Sequence, residues 1–172
     1  MAVWLERGGV LAVANLRGGG EYGRAWHEGG WRGNKQNVFD DFCTCARWMT
    51  SSGWSSRDRL AIMGHSGGGL LVGACLTQHP ELFGAVVGHA GVYDMLRFHR
   101  FTIGSAYTFE VGSPDDPEEY QWLRGYSPLH HVRPGTCYPT RDWGKRAAGT
   151  AARVTCHGAS RYPALPCRAV AK

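Results

Sequence analysis

Five consecutive residues near the middle of the chain have the types and spacing expected around a serine nucleophile: Gly64-His65-Ser66-Gly67-Gly68. The apolar run 59–63 before them predicts a β-strand, and the small residues 68–78 after them predict a helix. In such a strand–turn–helix the serine adopts a strained backbone, and a side chain two positions before or after it would clash. We therefore predict that Ser66 is a nucleophile raised above a sheet, and that the Gly67 N–H can stabilise an oxyanion.

A serine hydroxyl attacks a carbonyl efficiently only with a base and an acid that orients the base. Where this turn carries a catalytic triad, the chain order is serine, acid, histidine. Asp94 follows the next predicted strand, at the same edge of the sheet, whereas Asp142 and His157 follow no apolar run. The other downstream histidines that we considered are His89, His130 and His131. The residues alone do not identify a complete triad.

The elements that would position Ser66 alternate between strand and helix. We predict strands at residues 9–15, 59–63 and 85–90, and the apolar run 9–15 suits a strand buried on both faces. Apolar residues from about 37 to 51 recur at helical spacing. This alternation predicts an α/β fold with a mostly parallel sheet and flanking helices. Residues 95–135 contain four prolines, and we predict a loop-rich excursion over the sheet.

Composition excludes several other classes of protein. The 172 residues are 43% hydrophobic and only 19% charged, which suits one globular core and excludes most disordered classes. No apolar run reaches the roughly 18 residues of a membrane span, and no signal-peptide pattern opens the chain. We predict a cytoplasmic protein whose six cysteines are reduced thiols, and we expect neither a metal nor any other cofactor.

The net charge of +5 belongs to one end of the chain. Residues 141–172 contain seven Lys or Arg residues and a single acid, so the preceding body is close to neutral. We therefore expect no nucleic-acid partner and no membrane partner. After Thr140 the chain becomes rich in Ala, Arg, Gly and Pro, and no run there suggests a buried strand. We predict that 141–172 is a divergent basic tail outside the fold, and a reading-frame change is one hypothesis for its origin.

Several segments of residues 2–140 resemble the catalytic domain of the prolyl oligopeptidase family. They are Asn15-Leu-Arg-Gly-Gly-Gly-Glu-Tyr-Gly23, Asn34-Lys-Gln-Asn37, Phe39-Asp-Asp-Phe42, the serine turn, Pro80-Glu-Leu-Phe83, Gly91–Phe98 and Tyr126–His130. The resemblance implies a partial α/β-hydrolase domain over residues 1–140. It also implies a serine peptidase that cleaves short peptides after proline through an acyl-enzyme, with no obligate partner.

The resemblance assigns roles to individual positions. Ser66 matches the nucleophile, and Gly67 matches the residue that supplies one oxyanion N–H. Val92 and Tyr107 match the pocket for the substrate proline, where a tryptophan is usual at the position of Tyr107. Asp94 matches an acid that is not the family's triad acid. The family's propeller, its second oxyanion donor and its triad aspartate and histidine have no recognisable counterpart in the chain.

Two alternatives to an active peptidase follow from these departures. The first is a non-catalytic fragment that binds a partner through an exposed sheet edge and the basic tail. The second is a small esterase of the same fold that uses Asp94 with His130 or His131. The isolated chain is therefore expected to be weakly active or inactive as a peptidase.

Overall fold

A parallel three-stranded sheet organises the protein. The computed structural model describes residues 2–143, and its strands are β1 (Ala61–His65), β2 (Ala85–His89) and β3 (Thr140–Trp143), in the order β1-β2-β3. Ala61 pairs with Ala85, and Ala85 pairs with Thr140. The described α-helices are α1 (Ala2–Glu6), α2 (Arg24–Glu28), α3 (Gln36–Ser51), α4 (Gly67–Gln78), α5 (Gly104–Val111) and α6 (Pro117–Tyr126). Short 3₁₀ helices cover Arg32–Asn34, Arg57–Arg59, Pro80–Leu82, Phe98–Arg100 and Pro128–His131. The predicted α/β class is confirmed.

Helices α3 and α4 pack together beside the sheet, and both were predicted. One face of α3 is buried through Phe39, Cys43 and Ala46, whose spacing of four and three residues is that of a helix stripe. Helix α4 is buried over most of its length because small residues allow the sheet and α3 to approach it. The largest fully buried side chains are Phe39, Leu70, Val72, Phe83, Val86, Met95, Val111 and Leu123. None of the helices in the described part is long and apolar enough to cross a membrane.

The prediction of a buried strand at residues 9–15 was wrong. Val10, Leu11 and Val13 are 54%, 46% and 81% exposed, and the segment forms no strand. Within residues 2–143 no strand is hydrogen-bonded to it, so its backbone groups have no ladder partner. An apolar run indicates that a segment suits a buried strand, but it cannot indicate whether a neighbouring strand is present.

The prediction that residues 95–135 are loop-rich was also wrong, because the segment contains α5 and α6. The Asp116 side chain accepts hydrogen bonds from the amides of Glu118 and Glu119 at 2.9 and 3.0 Å, which caps α6. Pro117 stands at the first turn, where a proline favours a helix start. The run Asp-Pro-Glu-Glu was therefore a helix-start signal that we interpreted as a loop. The segment does lie outside the sheet, as expected.

The described fold continues slightly beyond the predicted boundary at residue 140. Strand β3 includes Arg141, Asp142 and Trp143, whose backbones pair with Val86, Val87 and Gly88 of β2. The absence of an apolar run did not prevent this strand, because main-chain hydrogen bonds to β2 do not depend on side-chain type. His157 and the rest of the predicted tail from residue 144 lie outside the described residues. The two-part division of the chain stays a prediction.

Candidate active site

Ser66 occupies the predicted turn between β1 and α4. Its backbone angles are φ 55° and ψ −115°, a region that residues with a side chain rarely adopt. The Ser66 amide donates to the carbonyl of His89 at 2.9 Å, which ties the turn to the end of β2. The side chain is exposed at the carboxyl edge of the sheet. The fold thus presents a strained serine to solvent, which is the geometry of a nucleophile elbow.

The glycines around Ser66 have different functions. A Cβ on Gly64 would overlap the carbonyl group of Gly68, so position 64 must be glycine as predicted. A Cβ on Gly68 would meet nothing within 4 Å, so the predicted clash at position 68 was wrong. At Gly69, which we had not singled out, a Cβ would lie 2.5 Å from the Cα of Gly91. Gly64 therefore permits the turn, and Gly69 permits α4 to pack against the loop after β2.

Gly67 begins α4 and brings its amide to the turn. The first N–H groups of a helix have no partner within the helix, and the dipole makes that end positive. Helix α4 has 12 residues, and its first turn contains no acidic side chain that would weaken this field. The Gly67 N–H is therefore suited to stabilise negative charge on an oxygen that forms next to Ser66.

Tyr107, on α5, lies close to Gly67. Its hydroxyl oxygen is 3.0 Å from the position that a Cβ on Gly67 would take. Burial, followed by the nearby negative charge of Glu110, raises the pKa of Tyr107 to about 12. The hydroxyl therefore keeps its proton at neutral pH and can donate a hydrogen bond. Val92 follows β2 and packs, half-buried, against the hydrophobic core, as Tyr107 also does.

A cavity of about 610 Å³ opens beside the start of α4. Gly67, Gly68 and Tyr107 line it together with residues 16–19 and Lys35. Neither Ser66 nor Val92 lines this cavity. The cavity and the exposed serine are therefore neighbouring features that share Gly67, and they do not form one enclosed pocket.

A buried ion pair fixes α5 next to the cavity. Lys35 is 9% exposed, and its Nζ donates to Oε1 of Glu110 at 2.7 Å. Glu110 lies one helical turn after Tyr107, so this pair holds the helix that presents the tyrosine. Lys35 lies in the segment Asn34–Asn37 that resembles the family, but no role was predicted for it. No local pattern reveals the pair, because 75 residues separate its members.

A second ion pair fixes the loop after residue 16. Arg17 Nε and Nη2 donate to the two carboxylate oxygens of Asp41 at 2.9 and 2.6 Å, and the Arg17 amide donates to the same carboxylate at 3.1 Å. The hydrogen bond from Arg17 is the main cause that lowers the pKa of Asp41. This fork anchors one wall of the cavity to α3.

Asp41→Asn is expected to make the melting temperature vary less with pH between pH 7 and 3. Because folding lowers the pKa of Asp41, the carboxylate stabilises the fold above its unfolded value of about 4 and loses this effect as the pH falls through the folded value. Wild type should therefore melt at a higher temperature than Asp41→Asn at pH 7, and the difference should shrink below about pH 4. Thermal melts from pH 7 to 3 measure this, with the exposed Asp58→Asn as control. A constant difference across that range would contradict the assignment.

Three of the other triad candidates, Asp94, His130 and His131, form side-chain contacts that do not involve Ser66. Asp94 is buried and accepts from Arg97 Nε at 2.7 Å and from the Leu96 amide at 3.2 Å. His130 Nδ1 lies 2.8 Å from the Ser127 hydroxyl, and His131 Nδ1 donates to the Ser127 carbonyl at 2.9 Å. His89 is exposed at the end of β2, and its main-chain carbonyl accepts from the Ser66 amide. Asp142 lies in β3, and its side chain is not described.

No hydrogen bond among the described residues joins the Ser66 hydroxyl to a histidine. Sequence reasoning also missed Ser127, which is fully buried and whose hydroxyl accepts from the Met95 amide at 3.0 Å. Ser127 lies in the segment Tyr126–His130 that resembles the family, so the resemblance could have drawn attention to it.

Within residues 2–143 no group of three or more His, Cys, Asp or Glu side chains is arranged to hold a metal ion.

The fold and the turn together define a class of protein. A strained, exposed serine between a parallel strand and a helix, with a glycine required before it, is the nucleophile elbow of the α/β-hydrolases. The model of the prolyl oligopeptidase family matches residues 1–141. The chain belongs to the prolyl oligopeptidase family.

Known relatives agree with this membership. The chain is 45% identical over 140 residues to the prolyl endopeptidase of Elizabethkingia miricola, and the match covers 81% of this chain and 20% of the relative. It is 52% identical to a solved prolyl endopeptidase, with a TM-score of 0.81 and coverage of 82% and 21%. A post-proline cleaving enzyme from Rickettsia typhi is 37% identical, with a TM-score of 0.79 and coverage of 81% and 20%. The chain thus spans about a fifth of the length of these relatives.

Proposed function

We propose that this chain carries the nucleophile of a prolyl oligopeptidase-type serine peptidase. Ser66 Oγ attacks a peptide carbonyl carbon and forms an acyl-enzyme as the C–N bond breaks, and water then releases the acid. The Gly67 N–H binds the oxyanion that develops in both steps. The observation that carries the proposal is the strained and exposed Ser66 at the start of a 12-residue helix. The names of the relatives, prolyl endopeptidases, support the same reaction.

The proposed substrates are short peptides that are cleaved after proline. Tyr107 and Val92 would hold the proline, since a flat aromatic ring can stack on a pyrrolidine ring. The hydroxyl of Tyr107 near Gly67 supports a placement of this ring beside the reacting carbonyl. A tyrosine offers less area than the tryptophan usual in the family, so we propose a weaker preference for proline. A cytoplasmic location also stays a prediction.

The isolated chain is expected to give no measurable cleavage of a proline-linked chromogenic peptide. Among the described residues no hydrogen bond joins a histidine to the Ser66 hydroxyl, so no base is in position to activate it. In triad enzymes the loss of the base removes most of the rate, and only binding and the oxyanion donors still contribute. Reporter hydrolysis by purified chain is compared with buffer and with Ser66→Ala. Turnover that disappears in Ser66→Ala would contradict this expectation.

The test of the proposed function is site-selective labelling by a fluorophosphonate. We expect slow modification of Ser66, because the Gly67 N–H also stabilises charge that develops on the phosphonate oxygen. Peptide mass spectrometry should find Ser66 modified before the exposed Ser52 and Ser56, and Ser66→Ala should lose this label. Equal labelling of all three serines would overturn the proposal.

A second function, docking of a partner, has one specific observation in its favour. Strand β1 is one of the two outer strands of the described sheet, and Met63 on it is 57% exposed. Val10, Leu11 and Val13 are exposed as well. An unpaired strand edge beside apolar side chains favours association. Concentration-dependent association in a chain whose Ser66 is not labelled would favour this function.

The esterase alternative makes a different prediction. Hydrolysis of short acyl esters, without proline preference, would favour it.

A further inference from the structure

Two free cysteines face each other inside the contact between α3 and α4. Cys43 is 1% exposed and Cys75 is fully buried, and both belong to the hydrophobic core. Cys45, two residues along α3, points to the opposite side and is exposed. Among the described cysteines, Cys43 and Cys75 are buried, whereas Cys45 and Cys137 are exposed.

The Cys75 sulfur lies against the backbone of α3 at the turn that contains Cys43. Cys75 Sγ lies 3.9 Å from the carbonyl oxygen of Phe39. In an α-helix this carbonyl accepts the amide of the residue four positions later, which here is Cys43. The neighbouring Cys75 thiol lowers the pKa of Cys43 against the opposing effect of burial, and Cys43 in turn raises the pKa of Cys75. Cys43 is thus the sulfur on which a thiolate is better stabilised.

We propose that Cys43 and Cys75 form a redox-active thiol pair that hydrogen peroxide closes into a disulfide between α3 and α4. The Cys43 thiolate attacks one peroxide oxygen, the O–O bond breaks, and the released hydroxide takes a proton to become water. Cys75 sulfur then attacks the sulfur of the Cys43 sulfenic acid, the S–O bond breaks, and the Cys75 proton leaves in a second water. The two sulfurs lose two electrons in total, and the peroxide gains them.

Burial selects the oxidant and slows the reaction. Buried thiols are normally inert toward large reagents, so a glutathione-sized disulfide is not expected to reach this pair. Hydrogen peroxide is close to water in size and can enter during local opening of the helices. Once Cys43 is oxidised, Cys75 is already in contact and competes with any external thiol. A disulfide here would fix α3 against α4, the helix that begins at the Ser66 turn.

The experiment uses the full chain with the other four cysteines replaced: Cys45→Ser, Cys137→Ser, Cys156→Ser and Cys167→Ser. The folded protein is treated with hydrogen peroxide, unfolded with N-ethylmaleimide present, and analysed by intact mass and peptide mapping. The expected product is a monomer about 2 Da lighter with no maleimide, which gains two maleimides after reduction. The matched control adds Cys75→Ser, and it should instead show a Cys43 sulfenic acid that dimedone traps.

The melting temperature distinguishes a native pair from a pair formed in an opened chain. A disulfide that fits the native contact closes the loop from Cys43 to Cys75 and should raise the melting temperature by at least about 5 °C. The proposal is overturned by two free thiols after treatment, by disulfides between chains, or by a lower melting temperature. If the four-serine background does not melt cooperatively, peptide mapping of the unsubstituted chain decides by the presence or absence of the Cys43–Cys75 peptide.

Discussion

Gly64→Ala is expected to lower the free energy of unfolding by about 3 kcal/mol or more, which is enough to unfold a marginal domain. The added Cβ would overlap the carbonyl group of Gly68, which is backbone and cannot rotate away as a side chain could. One side of this contact is the end of β1 and the other is the first turn of α4, so neither can move without breaking its own hydrogen bonds. Urea denaturation followed by circular dichroism measures the change.

The matched control is Gly68→Ala, four residues later in the same turn. A Cβ there meets nothing within 4 Å, and alanine is preferred to glycine within a helix. We expect this variant to be unchanged or more stable by about 0.5–1 kcal/mol. Equal destabilisation of the two variants would show that loss of chain flexibility, and not the overlap at position 64, causes the effect.

Lys35→Met is expected to lower the free energy of unfolding by about 3 kcal/mol. The substitution keeps the length of the side chain but leaves the Glu110 carboxylate, which is only 26% exposed, without its cation. Removal of one partner of a buried pair costs more than removal of both, because one desolvated charge is left alone. The double variant Lys35→Met with Glu110→Leu should therefore recover part of the loss. Chemical denaturation of the single and double variants measures the coupling.

The surface pair Arg24–Glu28 provides the comparison for this experiment. Its side chains are 89% and 45% exposed, and they lie one helical turn apart on α2. Arg24→Met should change stability far less than Lys35→Met does, because water already solvates both charges. If Lys35→Met costs no more than Arg24→Met, the Lys35–Glu110 contact does not stabilise α5.

Local patterns predicted the parts of the fold that local interactions determine. Helix α3 followed from its apolar spacing, and the turn at Ser66 followed from the glycine that precedes it by two residues. The prediction of a strand at 9–15 was wrong because a strand must pair with a neighbouring strand, and the apolar run does not specify whether one is present. Helix α6 was missed because the Asp116 cap and Pro117 were interpreted as loop residues, although together they favour a helix start.

The candidate site was predictable only in part, for a physical reason. Ser66 and Gly67 adjoin each other in the chain, so their relation is visible in the motif. Tyr107 reaches Gly67 only through the packing of α5, and the resemblance to the family, not its spacing, identified it. Lys35 and Glu110 meet across 75 residues, and neither has a local signal that distinguishes it from a surface charge.

The hydrogen bond from the Ser66 amide to the His89 carbonyl means that the backbone conformation of the turn depends on β2 as well as on the turn's own residues. Ala90, directly after His89, also has a positive φ of 48°. The loops that follow β1 and β2 therefore both contain a residue with an unfavourable backbone conformation, and a hydrogen bond links them. The pentapeptide 64–68 grafted alone into another scaffold would relax, since the next strand's last carbonyl would be missing. A transplant that preserves the serine's orientation must carry residues 61–69 and 85–91 as one unit.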